Sequence, residues 1–228
     1  MHLTLTANTD WYLHNFRLDL AKALRGLRHE VSLLCPPGPY VARLQAEGFT
    51  VETFTAPAHG FSLADNRRAL GEMTAAYRRL EPDLVHLFTP VCVLLGGIAA
   101  RRLGVPHRVA ALTGLGHVFT SESGRARVAR PGLRWLFRRE LMRPDTAVIF
   151  QNEADRDELI AAGVVNPDRC HLVRGSGVDL ERFRPPGEGA SGAGNVSAET
   201  SSPDDEMADA TVKGRERIVI LFASRLLR

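Results

Sequence analysis

Short apolar runs rich in β-branched residues alternate along this chain with longer segments whose apolar residues recur every three or four positions. That alternation is the pattern of βα units building a parallel sheet. The first run, 3–7, leads into a helical pattern over 13–28 with Phe16, Leu20, Ala23, Leu24 and Leu27 on one stripe. A strand over 31–34 ends at Pro36-Pro37-Gly38-Pro39, a short helix is expected over 41–47, and a strand over 50–54 follows. Residues 64–80 read as a helix carrying Leu70, Met73, Ala76, Tyr77 and Leu80, before a strand over 84–88, a helix over 91–103 and a strand over 108–112. After a loop over 113–120 and an arginine-rich helix come a strand over 147–151, a helix over 153–162 stopped by Gly163, and a short strand over 171–173. These strands are nearly all apolar, as when helices cover both faces of a sheet. The expectation is an α/β, Rossmann-like parallel sheet of about seven strands with helices on both faces.

From 187 to 213 the composition shifts to Gly, Ala, Ser, Thr, Glu and Asp with no aromatic residue, which reads as a flexible, disordered linker. An apolar run returns at 218–222. The expected organisation is a domain with its crossover over 1–186, a linker over 187–213, and the first strand of a second domain over 214–228. With 228 residues, 44% of them hydrophobic, the chain can fill one ordinary core and a stub more readily than two. No apolar run approaches the roughly 18–20 residues of a membrane span, and the first residues lack the marks of a secretory leader, so a cytoplasmic protein is expected. Cys35, Cys92 and Cys170 are far apart and form no CxxC pair, which suggests neither a disulfide framework nor a zinc site. Asn195-Val196-Ser197 matches a glycosylation acceptor by letters alone and is not expected to be used.

The net charge of +3 is unevenly spread. Residues 125–143 hold seven arginines against the single acid Glu140, together with Leu133, Trp135, Leu136, Phe137 and Leu141. This mixture suits an anionic membrane surface, here the inner leaflet, or else an ordinary solvated face of a domain helix. Aromatic residues are few and no RNA- or DNA-binding motif accompanies the charge, so nucleic acid is not expected.

The chain has no GxGxxG after its first strand, no GxxxxGK[ST] and no HExxH, which argues against a dehydrogenase, a P-loop enzyme and a zinc protease. Instead Asn8, Asp10, Trp11 and Asn15 place polar and aromatic groups at a strand's carboxyl end and a helix's start. Free N–H groups there can hold an anionic or hydroxyl-rich ligand. The alternative is that Asp10 caps the helix. Gly114 and Gly116 allow close backbone approach in a loop that follows a strand, or simply a tight turn. Gln151 and Asn152, at the next strand end, offer neutral amides to a cleft, although Asn152 can equally cap the following helix.

Several segments, in order, resemble glycosyltransferase family 4 of the two-domain GT-B fold. They are Asn8-Thr9-Asp10-Trp11 with His14-Asn15-Phe16-Arg17-Leu18; the stretch 26–31; Pro82-Asp83-Leu84-Val85-His86; Gly114-Leu115-Gly116-His117-Val118-Phe119-Thr120; Val148-Ile149-Phe150-Gln151-Asn152; and Gly175-Ser176-Gly177-Val178-Asp179 with Phe183-Arg184-Pro185. The resemblance is greatest to bacterial members that add a hexose or N-acetylhexosamine to a polyprenyl-diphosphate-linked sugar. It implies transfer from a nucleotide-diphosphate sugar, UDP-linked, with retention at the anomeric carbon and with neither a catalytic metal nor a cofactor. It places the acceptor on the amino-terminal domain and the nucleotide on the carboxyl-terminal one, where an Arg and a Lys stabilise the leaving diphosphate. Arg225 matches that Arg, and the matching Lys would lie beyond Arg228, so the chain is expected to be a catalytically incomplete portion. His117 falls beside the sugar and is expected to act there. Gly175 and Ser176 belong to an interdomain crossover bordering the cleft. Two alternatives stand beside this reading: a non-enzymatic module binding carbohydrate or lipid head groups, and a nucleotide-sugar epimerase of the same fold.

Overall fold

The seven strands expected before the linker are present in the computed structural model, which describes residues 1–57, 62–114 and 124–177. They are β1 (His2–Thr6), β2 (Glu30–Cys35), β3 (Thr50–Thr53), β4 (Leu84–Phe88), β5 (His107–Leu112), β6 (Thr146–Phe150) and β7 (Cys170–Leu172). All pair in parallel, in the order β3-β2-β1-β4-β5-β6-β7. The chain therefore builds outward from β1 to one edge, then crosses back to lay β4 on the other side of β1. Thr6 sits in register with Leu34 on one side and Leu87 on the other. The strand order reverses between β1 and β4, and such a reversal opens a crevice at the carboxyl ends of the two strands.

The helices are α1 (Asp10–Tyr12), which continues through a π-helical turn (Leu13–Arg17) into α2 (Leu18–Gly26), then α3 (Val41–Ala46), α4 (Leu63–Leu80), α5 (Pro90–Leu103), α6 (Gly124–Leu141) and α7 (Glu153–Ala161). Met73, Tyr77, Ala100, Phe137, Leu141 and Leu159, from α4 to α7, pack with Val85, Leu87, Ala110, Val148 and Phe150 of the sheet. On the opposite face Leu13, Ala21 and Leu44 cover Leu5, Leu33, Phe88 and Ala111. The helices α4 and α5 approach closely because Gly96 carries no side chain: a Cβ there would lie 2.7 Å from Leu87 Cδ2 and 3.0 Å from Tyr77 Oη. The Tyr77 hydroxyl bonds to Thr6 Oγ1 at 2.8 Å, so the polar tip of a fully buried ring is satisfied.

The first helix departs from its expected phase. The stripe was expected to include Phe16, Ala23 and Leu27, yet all three are exposed, and the buried positions are Leu13, Arg17 and Ala21. The π-helical turn is the cause: its wider winding rotates every following side chain relative to an ideal helix. An arginine thereby occupies a core-facing position.

A second arginine is buried by design of the ion pairs around it. Arg108 on β5 is 3% exposed and lies 3.6 Å from Glu140 Oε2, while its other nitrogen contacts Asp145. Arg101 of α5 meets Glu140 Oε1 at 3.1 Å, and Gly97 O accepts from Arg108. Three elements are thus joined through one buried carboxylate. The arginine-rich helix is also less free than its composition suggests. Arg134 and Arg138 donate to the carbonyls of Ala162 and Gly163, stopping α7, and Arg143 pairs with Asp145. Trp135, with Arg139 over its ring at 5.5 Å, remains exposed. The expected linker and final strand lie outside the described residues.

Candidate functional site

Along the carboxyl edge of the sheet the loop after β1 is held by local hydrogen bonds. Ala7 N donates to Leu34 O, and Asn8, half-buried, follows it. Thr9, not Asp10, caps the helix, its hydroxyl accepting from Tyr12 N at 3.1 Å. This corrects the expectation that Asp10 is the cap: Asp10 sits one residue further in. Its buried carboxylate accepts from Trp11 N at 2.8 Å and from Tyr40 N at 2.7 Å. The second bond ties the turn after β2 to the turn after β1. Gly38 makes the fit possible, because a Cβ there would lie 2.3 Å from the Asp10 carboxylate. The amides of Trp11 and Tyr12 at the start of this helix are therefore taken, contrary to the expectation that they stand open to a ligand.

Trp11 and Phe16 form an exposed edge-to-face pair with centroids 5.2 Å apart, and Asn15 Nδ2 donates back to Trp11 O. On the other side of the crevice Gly114 adopts φ +141, a conformation that favours glycine. Gly116 and His117 lie outside the described residues, as does Arg225. At the end of β6, Asn152 Oδ1 accepts from Asp155 N at 2.8 Å and Nδ2 donates to Asp155 Oδ2, so Asn152 is the cap of α7. Gln151 beside it is half-buried, and its amide makes no hydrogen bond among the described residues. Gly175 and Gly177 both have φ +78, with the exposed Ser176 between them, and Arg174 reaches Glu153 at 2.7 Å.

Between these groups lie two residues that were named only within the resembling segments and given no role of their own. Arg17 is 8% exposed; its guanidinium lies 4.4 Å from the Phe88 ring centroid and 5.2 Å from that of Tyr12, and donates to the Tyr12 hydroxyl at 2.6 Å. His86 stacks on Phe88 at 4.2 Å, and its Nε2 is buried with no hydrogen-bond partner. Burial, and secondarily the Arg17 charge, push the imidazole down to about 3, so it is neutral at ordinary pH. An arginine spaced four residues from Leu13 and from Ala21 was the available signal.

The neutral imidazole has a measurable consequence. The unfolded chain takes up a proton on His86 as pH falls through about 6.5, whereas the folded chain does not until about 3. The stabilisation is complete above pH 6.5 and is lost as pH falls toward 3. By pH 4.5 the loss is about 2 kcal/mol, discounted for the half-buried ring. Urea unfolding of the protein and of His86→Gln, at pH 7 and pH 4.5, checks this; equal pH dependence in both would refute the assignment.

Burial pushes the thiols of Cys35 and Cys92 up to about 12, where thiolate is scarce. Among the described residues no group of three His, Cys, Asp or Glu side chains is placed to hold a metal ion, and no helix is long and apolar enough to cross a membrane.

A family model described as a glycosyl transferase 4-like domain matches residues 14–175. A GDP-mannose-dependent alpha-mannosyltransferase from Mycobacterium tuberculosis is 36% identical over 114 residues, 50% of this chain and 28% of the relative. The N,N'-diacetylbacillosaminyl-diphospho-undecaprenol alpha-1,3-N-acetylgalactosaminyltransferase of Campylobacter jejuni is 23% identical over 176 residues, 76% of this chain and 46% of the relative. The chain thus spans less than half the length of either. Among solved structures, the Anabaena HepE protein in complex with UDP and glucose matches at TM-score 0.55 and 18% identity, covering 78% of this chain and 45% of that one. A UDP-GlcNAc 2-epimerase from Methanocaldococcus jannaschii matches at 0.53 and 14%, covering 76% and 45%. At such identities these two likenesses speak to the fold.

Proposed function

The chain belongs to the glycosyl transferase 4-like family, and from that premise we propose that it forms the acceptor-side domain of a retaining hexosyltransferase. The enzyme moves a hexose or N-acetylhexosamine from a nucleotide-diphosphate sugar to a lipid-linked sugar in glycan or surface polysaccharide assembly. The observation that carries this reading is the family match itself, which extends over the loops after β2 through β7 and most of the helix after β1. One relative is named for a GDP-linked donor and the other for an undecaprenol-diphosphate acceptor, so the donor nucleotide is left open between GDP and UDP while the acceptor is read as a lipid diphosphate.

In this mechanism the acceptor lies in the crevice between β1 and β4. Trp11 offers an aromatic edge to a sugar ring, and Gln151 offers an amide that makes no hydrogen bond among the described residues. His117 hydrogen-bonds a sugar hydroxyl beside the reacting centre, and Arg225 stabilises the leaving diphosphate together with donor-side groups. The exposed Trp135 and Arg139 on α6 rest against the cytoplasmic membrane surface, where a lipid-linked acceptor is presented.

Product analysis with the gene's whole product tests the reading. Labelled UDP- and GDP-sugars are incubated with a short polyprenyl-diphosphate sugar, and label entering the lipid with retained configuration is expected. Conversion of the nucleotide sugar without any acceptor would replace the transferase reading with that of an epimerase. Binding of the lipid sugar without turnover would leave a binding module.

A further inference from the structure

In the segment that follows β1, two pairs of side chains stand five residues apart and touch. Trp11 meets Phe16 edge to face, with ring centroids 5.2 Å apart, and the Arg17 guanidinium donates to the Tyr12 hydroxyl at 2.6 Å. On a regular α-helix, residues five apart point about 140° away from each other, so regular winding would part both pairs. The π-helical turn over Leu13–Arg17 brings them together, because its wider ring spans i to i+5. Asn15 adds a third tie, its Nδ2 donating to Trp11 O at 3.0 Å.

The two pairs differ in what they face. Arg17 is buried against the Phe88 ring with Tyr12 half-buried beside it, whereas Trp11 and Phe16 are both exposed. Arg17 has no carboxylate partner among the described residues, its Nε is buried without a hydrogen bond, and the rings around it offset the cost of desolvating its charge only in part. An apolar side chain would fill such a place without that cost. Stability alone therefore gives no reason for an arginine here, whereas its bond to Tyr12 holds the turn that joins Trp11 to Phe16. The surface that results is neutral. The Asp10 carboxylate is engaged by Trp11 N and Tyr40 N, and Arg17 is turned inward, so the rings present the Trp11 indole N–H and Asn15 Oδ1, neither hydrogen-bonded among the described residues. Aromatic rings beside one donor and one acceptor match a sugar, whose C–H face stacks on them while its hydroxyls take the hydrogen bonds; these groups include no cation for a diphosphate.

We propose that Tyr12 and Arg17 are positioning residues of the acceptor site: their bond fixes the π-helical turn and so sets Trp11 and Phe16 as a two-ring platform for the acceptor's sugar. The choice of an acceptor sugar rests on the proposed function, whereas the platform rests on the paired contacts. Phe16 thereby becomes a binding residue beside Trp11.

The test uses the 228-residue chain with ¹⁵N-labelled tryptophan, whose two indole resonances are told apart with Trp135→Phe. The probes are geranyl-diphosphate-linked N-acetylglucosamine, geranyl diphosphate without the sugar, and UDP- and GDP-sugars. The Trp11 indole resonance is expected to move with the sugar-bearing lipid and to stay in place with geranyl diphosphate. Tyr12→Phe removes only the hydroxyl that Arg17 holds, and it is expected to shift that resonance in the free protein and to weaken binding of the sugar-bearing lipid roughly three- to tenfold. Arg17→Met should match it, and Arg17→Lys, which keeps a donor, should fall between. Phe16→Leu should weaken binding by a similar factor. Binding of the sugar-bearing lipid that leaves the Trp11 resonance in place would overturn the platform while sustaining the acceptor-side reading. Movement with the nucleotide sugars and not with the lipid would overturn that reading and leave the platform to a donor sugar. Equal movement with geranyl diphosphate would make the rings a lipid contact and overturn the proposal, as would binding by none of the probes. A folded Tyr12→Phe with unchanged resonance and unchanged binding would overturn the positioning role. The first readout is on the unmutated protein, so a variant that fails to fold does not remove the test.

Discussion

Replacing Glu140 with alanine is expected to destabilise the domain by about 3–5 kcal/mol, the usual cost of leaving a buried charge without its partner. Glu140 is 3% exposed and is shared by Arg101 at 3.1 Å and Arg108 at 3.6 Å. Without it, Arg108 keeps Asp145, which is more exposed and also engaged with Arg143, while the Arg101 guanidinium loses its carboxylate. The effect should exceed that of removing a surface pair such as Arg79 and Glu52, whose attraction water screens. Glu140→Gln should fall between, because it keeps the packing and an acceptor but not the charge. Urea unfolding followed by circular dichroism measures all three, and a Glu140→Ala loss no larger than that of the surface pair would show that the network is not holding α6 to β5.

The second large effect concerns the crevice. Asp10→Ala strips the acceptor from Trp11 N and Tyr40 N, two part-buried amides, and should cost about 2–6 kcal/mol at 1–3 kcal/mol for each unsatisfied group. Gly38→Ala attacks the same joint from the other side, since its Cβ would fall 2.3 Å from the carboxylate. Because the two substitutions break one contact, their effects should combine to less than their sum in the double variant. Full additivity would mean that Asp10 and Gly38 are not coupled, and that the turns after β1 and β2 are held apart by other means.

The strands and their parallel pairing were legible because βα alternation and doubly apolar runs leave few other arrangements. The stop at Gly163 was legible for a similar reason: at φ +64 only a residue without Cβ is comfortable. The phase of the first helix was not. A π-helical turn is decided by what its side chains meet in three dimensions, and Phe16 and Arg17 exchanged environments as a result. The capping residue was off by one for a related reason, since Thr9 and Asp10 are both good caps and the choice went to whichever left a carboxylate for the turn holding Tyr40. Asn152 as a cap was one of two readings of the same residue, and the hydrogen bond to Asp155 N selects it. Arg134 and Arg138 looked like a free basic surface because their carbonyl partners, Ala162 and Gly163, lie more than 20 residues away. His86 was hidden in an apolar run, where an imidazole gives no periodic signal.

The central claim is that this chain supplies the acceptor side of a sugar-transferring enzyme. Calorimetric titration of the chain with a short polyprenyl-diphosphate sugar, and separately with UDP- and GDP-sugars, tests it most directly. The account predicts that the lipid-linked sugar binds and that the nucleotide sugars bind at least roughly tenfold more weakly, a difference of about 1.4 kcal/mol. Nucleotide-sugar binding of equal or greater strength would contradict the division of labour drawn here and move the donor onto this domain.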